Sequence, residues 1–434
     1  MLIVQIIDLL TLFVVTLWLS KLYFKQCFDS RFFISLLLYI FYMIPLGLDW
    51  FYEMADYTYS GWWGFMIPRG DFFTNVLYDV LFLYTFYVLL IKTKSYKNQR
   101  NYSNKESQIK SIALYLLFIA LIPPVAVVLI MRQPAMLMAF QWRELGIFST
   151  SGSYATIEKI TYIAVSCSVL LFFSKKNIIL NLFSLLLLIM NVCIQGKRAI
   201  LFYALINIVI VLYIKFRKLQ ISPKKMTVLS MLAILLCAAL MTLMINMTIA
   251  VKLERGYDPN NTSAMYTTSR IDFFRDDRVR LSIYSCMNEE EVEILQYPAQ
   301  TFVSDLFAFI PINYIASMAD IHHYSYQTYF THALERKKTD SFIDVQNRSY
   351  MTVCFISEMI SNIGFLLTLL LLPKFCLWIS KKADDHPYPL NALILCVFAS
   401  LNMFDFTYMA YYIEAVLILC WFYHLSKHRK INYD

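Results

Sequence analysis

Runs of about twenty apolar residues recur along this chain, and they constrain its fold more than any other feature. At about 1.5 Å of rise per helical residue, each is long enough to cross a hydrocarbon core about 30 Å thick. A segment in lipid must satisfy its own backbone polar groups, so these runs read as helices. Composition agrees: 59% of the 434 residues are hydrophobic and only 16% are charged. The expected fold class is an all-α polytopic membrane protein, treated as one integral domain over residues 1–434.

Eleven spans are expected, at roughly 2–24, 32–51, 72–92, 110–131, 158–174, 178–195, 199–215, 226–250, 350–373, 389–407 and 408–425. The first lacks a basic leader and a small-residue cleavage site, so it reads as a retained helix rather than a signal peptide. Pro123 and Pro124 should kink the fourth span by removing backbone donors. No internal repeat is evident in the spans, which weighs against a repeat-built transporter.

Lysine and arginine orient such a chain, because cytoplasmic loops carry their excess. With this count, the basic clusters after the first, third, fifth, seventh and ninth spans, and at the C-terminus, share one side. The N-terminus is then outside and the C-terminus inside. The net charge of +8 lies mostly in these short loops, so it does not indicate nucleic acid. The nine cysteines fall mostly in apolar runs, and Cys286 stands alone in the long polar loop, so no disulfide framework is expected.

That polar loop, residues 251–350, is the long exception to the apolar pattern and is expected outside, partly helical. It contains SRIDFFRDDRVRLSIY at 269–284, where four of sixteen residues are arginine and three aspartate. Outward arginines run against the positive-inside bias, and their planar fork suits diphosphate. The candidates are Arg143, Arg198, Arg270, Arg275, Arg278 and Arg280.

If 271–287 is a helix, Arg275, Arg278 and Ser282 share a face. Asp276 precedes Arg280 by four residues, an ordinary surface pair that makes Arg280 structural. Arg275 has Asp272 three residues back. Arg278 has no carboxylate at helical spacing and needs a tertiary or ligand anion. Lys197 and Arg198 sit in QGKRAI at a tight outer turn, where a helix N-terminus favours an anion; headgroup snorkelling is the plain alternative. Glu358 and Asn362, in SEMISNIGF, share a face inside the ninth span, where a carboxyl needs a polar cavity or a basic partner. A helix–helix hydrogen bond is the alternative for Glu358. Asp79 and Glu414 are further intramembrane acids with weaker context. His322 and His323 are adjacent and lack the ligand spacing of a metal site, so no metal is expected. No glycine-rich nucleotide loop occurs.

GKRAI, the arginine segment continuing into ILQYPAQTFVSDLFAFIP at 294–311, and SEMISNIG together resemble the Wzy-type oligosaccharide repeat-unit polymerases of capsule and O-antigen synthesis. The likeness covers about the second half of the chain, with QWRE at 141–144 as a further match. It departs after Pro311, where INYIASMADIHHY replaces the family's basic and Trp-Pro run.

The resemblance implies a sugar-nucleotide-independent glycosyltransferase in the bacterial cytoplasmic (inner) membrane. A hydroxyl of one undecaprenyl-diphosphate-linked oligosaccharide attacks the anomeric carbon of another, and undecaprenyl diphosphate leaves. It implies Arg198 and Arg278 on the diphosphate, Arg143, Lys197, Arg270, Arg275 and Asn362 supporting, and Glu358 as anchor or base. It implies no cofactor, and a chain-length regulator and a flippase as partners. A lipid-linked oligosaccharide flippase, an O-antigen-ligase-type transferase and a non-catalytic assembly scaffold remain open. On the sequence alone, Arg278→Ala should abolish the polysaccharide ladder on gels while Arg280→Ala largely preserves it; equal effects would sink the helical-face assignment.

Overall fold

The computed structural model describes residues 2–25, 29–51, 57–58, 66–67, 71–92, 106–132, 152–173, 178–195, 198–218, 274–309, 324–335, 353–386 and 388–404, with single positions between 312 and 318 and short pieces between 406 and 421. Among these residues the chain is helical, apart from a two-residue antiparallel pair that sets Tyr57 opposite Ile67 and Thr58 opposite Met66.

Helices α1 (Leu2–Phe24) and α2 (Ser30–Leu38) lead the chain. The Asp29 carboxylate caps α2 by accepting the Phe32 N–H at 3.1 Å. The α2 rod continues through a π turn, Tyr39–Met43, into Ile44–Phe51. Helix α3 (Phe72–Tyr87) runs into a second π turn, Val88–Lys92. Next come α4 (Glu106–Met131), α5 (Gly152–Phe172), α6 (Ile178–Gln195) and α7 (Arg198–Lys218). Pro123 and Pro124 lie inside α4, which runs on through both. Helix α5 packs against both α4 and α6.

Five helical rods are long and apolar enough to cross a membrane: Ile3–Phe24, Ser30–Trp50, Phe72–Lys92, Ala113–Ile130 and Phe355–Asp385. Shorter apolar helices lie at Ile160–Phe172, Ile178–Ile194, Ile200–Lys215 and Leu390–Met403. These coincide with nine of the eleven expected positions. The span expected at 226–250 lies outside the described residues, as does most of 408–425. The count of eleven is therefore not a property of this structure; five long apolar helices and several shorter ones are.

Apolar side chains cover the outside of these rods. Leu10 and Phe13 on α1, Leu114 and Phe118 on α4, and Leu366 and Leu370 further along are all exposed. A soluble fold would bury such surface; a bilayer covers it. One buried apolar cluster joins residues of α1 through α7 to the C-terminal helices.

The long loop carries its own structure. Helices α8 (Asp276–Met287), α9 (Gln300–Asp305) and α10 (Tyr326–Glu335) lie within it. Leu281, Tyr284, Val292, Ile294, Tyr326 and Phe330 form a separate small core with Val353. The loop is thus a folded insert over its described part.

Helix α11 (Phe355–Asp385) follows, and α12 (Leu390–Met403) comes after it. Helix α11 is 31 residues long but is broken at Gly364, with φ 79° and ψ 165°. That region of backbone space is essentially restricted to glycine. The break divides a buried stretch, Phe355 to Ile360, from a stretch where Leu366, Leu367, Leu370 and Leu371 are exposed. A Cβ added at Gly364 would meet nothing within 4 Å. The demand is therefore on the backbone alone. Gly364→Ala should lower stability by about 1–3 kcal/mol, read as a fall in Tm in detergent; an unchanged Tm would show that the break is not needed.

Candidate functional site

Helix α8 is the arginine helix, and it starts later than the sequence suggests. Arg275 is its N-cap rather than an interior residue. The Arg275 N–H donates to the Phe41 carbonyl at 3.2 Å, in the π turn of α2. Its guanidinium donates to the carbonyl of Phe274 at 2.8 Å and approaches that of Met403 at 3.5 Å. The start of α8 is thereby held between the second rod and the end of α12. Asp276 and Asp277 occupy the first turn, where carboxylates suit the helix dipole.

Arg275, Arg278 and Arg280 are all buried, with Arg275 and Arg278 fully so. The sequence pattern describes a polar loop facing water. The structure instead drives α8 into the bundle, where it packs on α11 and on α3.

Arg280 has a partner that its spacing does not reveal. Its guanidinium donates to Asp8 of α1 at 3.2 Å. It also lies 4.5 Å from the centre of the Tyr78 ring. Asp79 is buried beside this pair, close enough to feel the charges of both Asp8 and Arg280. Two carboxylates, one guanidinium and an aromatic face thus meet between α1, α3 and α8. Asp8 was not singled out from the sequence. Its signal was there: it is the one charged residue before Lys21 in an otherwise apolar first span.

Arg278 and Ser282 share a helical face, as the spacing predicts, and the Ser282 hydroxyl donates to the Arg278 carbonyl at 3.0 Å. Ser282 also meets Ser357 at 2.6 Å and Tyr326 at 3.0 Å. The Tyr326 hydroxyl in turn lies 2.9 Å from both Ser357 and Ser361. Burial pushes the Tyr326 phenol well above its usual range, so it stays a protonated donor in this network. Four hydroxyls therefore clamp α8, α10 and α11 together beside Arg278. Arg275 and Arg278 both lie near the Cys354 thiol at the start of α11.

Glu358 and Asn362 share one face of α11, one turn apart. The Thr301 hydroxyl donates to Glu358 Oε1 at 2.8 Å, and the Phe406 N–H donates to Oε2 at 2.7 Å. Both carboxylate oxygens are thus engaged, and the residue is fully buried. Asn362 Oδ1 accepts the Thr301 N–H at 3.0 Å, while Nδ2 donates to the Glu358 carbonyl at 2.8 Å. The Ala299 N–H donates to the Asn362 carbonyl at 2.9 Å, holding Ala299 at φ 58°. A neighbouring staple runs from the Thr407 hydroxyl to Asp305 at 2.8 Å. Together these contacts anchor α9 to the broken helix. Tyr326 is central to the first network and Thr301 to the second, and neither was visible as a functional position in the sequence.

The structure brings Arg275, Arg278, Glu358 and Asn362 to one region around the start of α11. Helix α6 ends at Gln195 and α7 begins at Arg198, which fits the tight turn expected there. The Arg198 side chain lies outside the described residues, as do Arg143, Lys197, Arg270, His322 and His323. Among the described residues, no group of three or more His, Cys, Asp or Glu side chains could hold a metal. No family model matches the chain, and no curated protein or solved structure matches it.

The geometry alters what each arginine should do on substitution. Removing one partner of a buried ion pair strands the other charge and costs about 3–5 kcal/mol. Arg280→Ala should therefore lower Tm sharply through stranded Asp8, and Arg280→Met with Asp8→Leu should recover much of the loss. Wild-type Tm in Arg280→Ala would return Arg280 to the surface.

Proposed function

We propose that this chain polymerises undecaprenyl-diphosphate-linked oligosaccharide repeat units, at the outer leaflet of a bacterial cytoplasmic membrane, with N-terminus outside and C-terminus inside. The observation that carries the reading is the placement of the arginine helix. Guanidinium groups from one loop segment lie where the loop packs against apolar helices, a junction at which a lipid-borne diphosphate would meet the protein. The resemblance in GKRAI, the arginine segment and SEMISNIG supplies the reaction.

In that reaction an acceptor hydroxyl forms a bond to the anomeric carbon of the donor's reducing-end sugar. The bond from that carbon to the diphosphate oxygen breaks, and the hydroxyl proton is released to water or a base. Negative charge develops on the departing diphosphate, and preorganised guanidinium groups stabilise it most where water is excluded. Arg278 and Arg198 take this role, with Arg143, Lys197, Arg270 and Arg275 supporting. Arg278 is fully buried here, so substrate engages it only when the contacts between α8 and the spans open. Glu358 and Asn362 act as anchors of α9, since both Glu358 oxygens already accept hydrogen bonds.

A second reading is favoured by one observation. Asp8, Asp79 and Arg280 lie within the helix bundle, the interior placement expected of a lipid-linked oligosaccharide flippase or another transporter.

Purified protein in proteoliposomes with defined lipid-linked repeat units separates the two. The polymerase produces a ladder of multiples and releases undecaprenyl diphosphate. A transporter moves units across the bilayer without lengthening them. Arg278→Ala should reduce polymer formation about 10²–10³-fold, the usual cost of losing one donor to a developing anion, and Arg278→Lys should restore only part by keeping charge without the fork. A full ladder from Arg278→Ala would remove Arg278 from the reaction.

A further inference from the structure

The long loop holds a stretch that is nearly free of charge. Residues 294–318 read ILQYPAQTFVSDLFAFIPINYIASM and contain one charged residue, Asp305. Asp305 is buried and turned inward, where it accepts the Thr407 hydroxyl at 2.8 Å. No charge of this stretch is left for water.

Its two faces differ. Thr301 and Asp305, one turn apart on α9, face the protein and are buried. Tyr297, Val303, Leu306, Ile312, Ile315 and Met318 face outward and are exposed, Met318 to 76%. From Val303 to Leu306 and from Ile312 through Met318 the spacing is three residues, which stacks side chains on one helical face. The polar face is consumed by contacts with α11 and with Thr407, and the apolar face is left as a stripe.

The staple also fixes what this stripe adjoins. The Ala299 N–H bonds the Asn362 carbonyl, and the exposed leucines of α11 begin at Leu366. Only four residues separate them, across the break at Gly364. The stripe therefore lies beside the apolar surface of a membrane-crossing helix. A protein-docking surface would carry a polar rim around its apolar centre, and this stretch has no outward charge to build one. An amphipathic segment at a bilayer interface buries its apolar face about 5–10 Å deep, and an aromatic such as Tyr297 suits that level.

We propose that residues 297–309, with Ile312, Ile315 and Met318, lie in the membrane interface on the side occupied by the long loop, with this stripe in the hydrocarbon of that leaflet. The loop is then held twice, by α11 through its polar face and by lipid through its apolar face. This rests on the membrane reading alone and holds whichever reaction the protein catalyses.

Nitroxide labels on cysteines introduced singly at Val303, Leu306, Ile315 and Met318 test it, in proteoliposomes of phosphatidylethanolamine and phosphatidylglycerol. Exposed Glu290 serves as the aqueous control, and the signal of unsubstituted protein labelled in parallel is subtracted. Relaxation by oxygen should exceed relaxation by a water-soluble nickel chelate several-fold at the four sites, with the reverse at Glu290. Chelate access equal to that at Glu290 would overturn the proposal by placing the stripe in water. Protection from both reagents would overturn it too, by placing the stripe against protein. Each label reports independently, so a variant that fails to elute as a monodisperse species leaves the other three to decide.

Discussion

A guanidinium taken out of water must be paired, and the ion pair of Arg280 with Asp8 does this across most of the length of the chain. It joins the long loop to the first helix at 3.2 Å, with the Tyr78 ring against the same guanidinium. An isolated charge at this position would cost several kcal/mol, so α8 can enter the bundle only if α1 presents its carboxylate there. The rest follows from that seating. Arg275 reaches the second rod and the end of α12, and Ser282 reaches the hydroxyls of α10 and α11. A loop that reads as hydrophilic becomes an internal strut.

The second constraint is the break at Gly364. Above it α11 is buried and polar on one face; below it the helix turns leucines outward. Glu358 and Asn362 sit on the buried side and use their hydrogen-bonding groups to fix α9. A carboxylate so placed would be expensive without partners, and the Thr301 hydroxyl and the Phe406 N–H both donate to it. The same anchoring leaves α9 with only its apolar side to present outward.

Much of the architecture was legible because lipid imposes a length and a composition. Leu2–Phe24 and Ile178–Gln195 coincide with their expected ranges, since apolar runs with polar ends leave little choice. The helix boundaries at Gln195 and Arg198 followed from Gly196 and two adjoining apolar runs. The partners of the arginines were not legible. Helical spacing offers only i±3 and i±4 neighbours, so it pointed Arg280 to Asp276 and could not show Asp8, 272 residues away. Arg275 looked like a helix residue because propensity does not mark where α8 is pinned by the Phe41 carbonyl. Polarity of the loop suggested solvent exposure, because nothing local reveals that three hydroxyls and an aspartate on other elements wait for it. Arg278 sharing a face with Ser282 was visible, as that is a property of one helix.

The central claim is that the arginine helix is built into the membrane bundle rather than carried in an aqueous loop. Hydrogen–deuterium exchange of the full chain in lipid nanodiscs tests it most directly, by following the amides of Asp276–Met287. Burial against α11 and α3 predicts protection comparable to the buried start of α11, persisting for hours. Complete exchange of that segment within seconds, with α11 still protected, would contradict it.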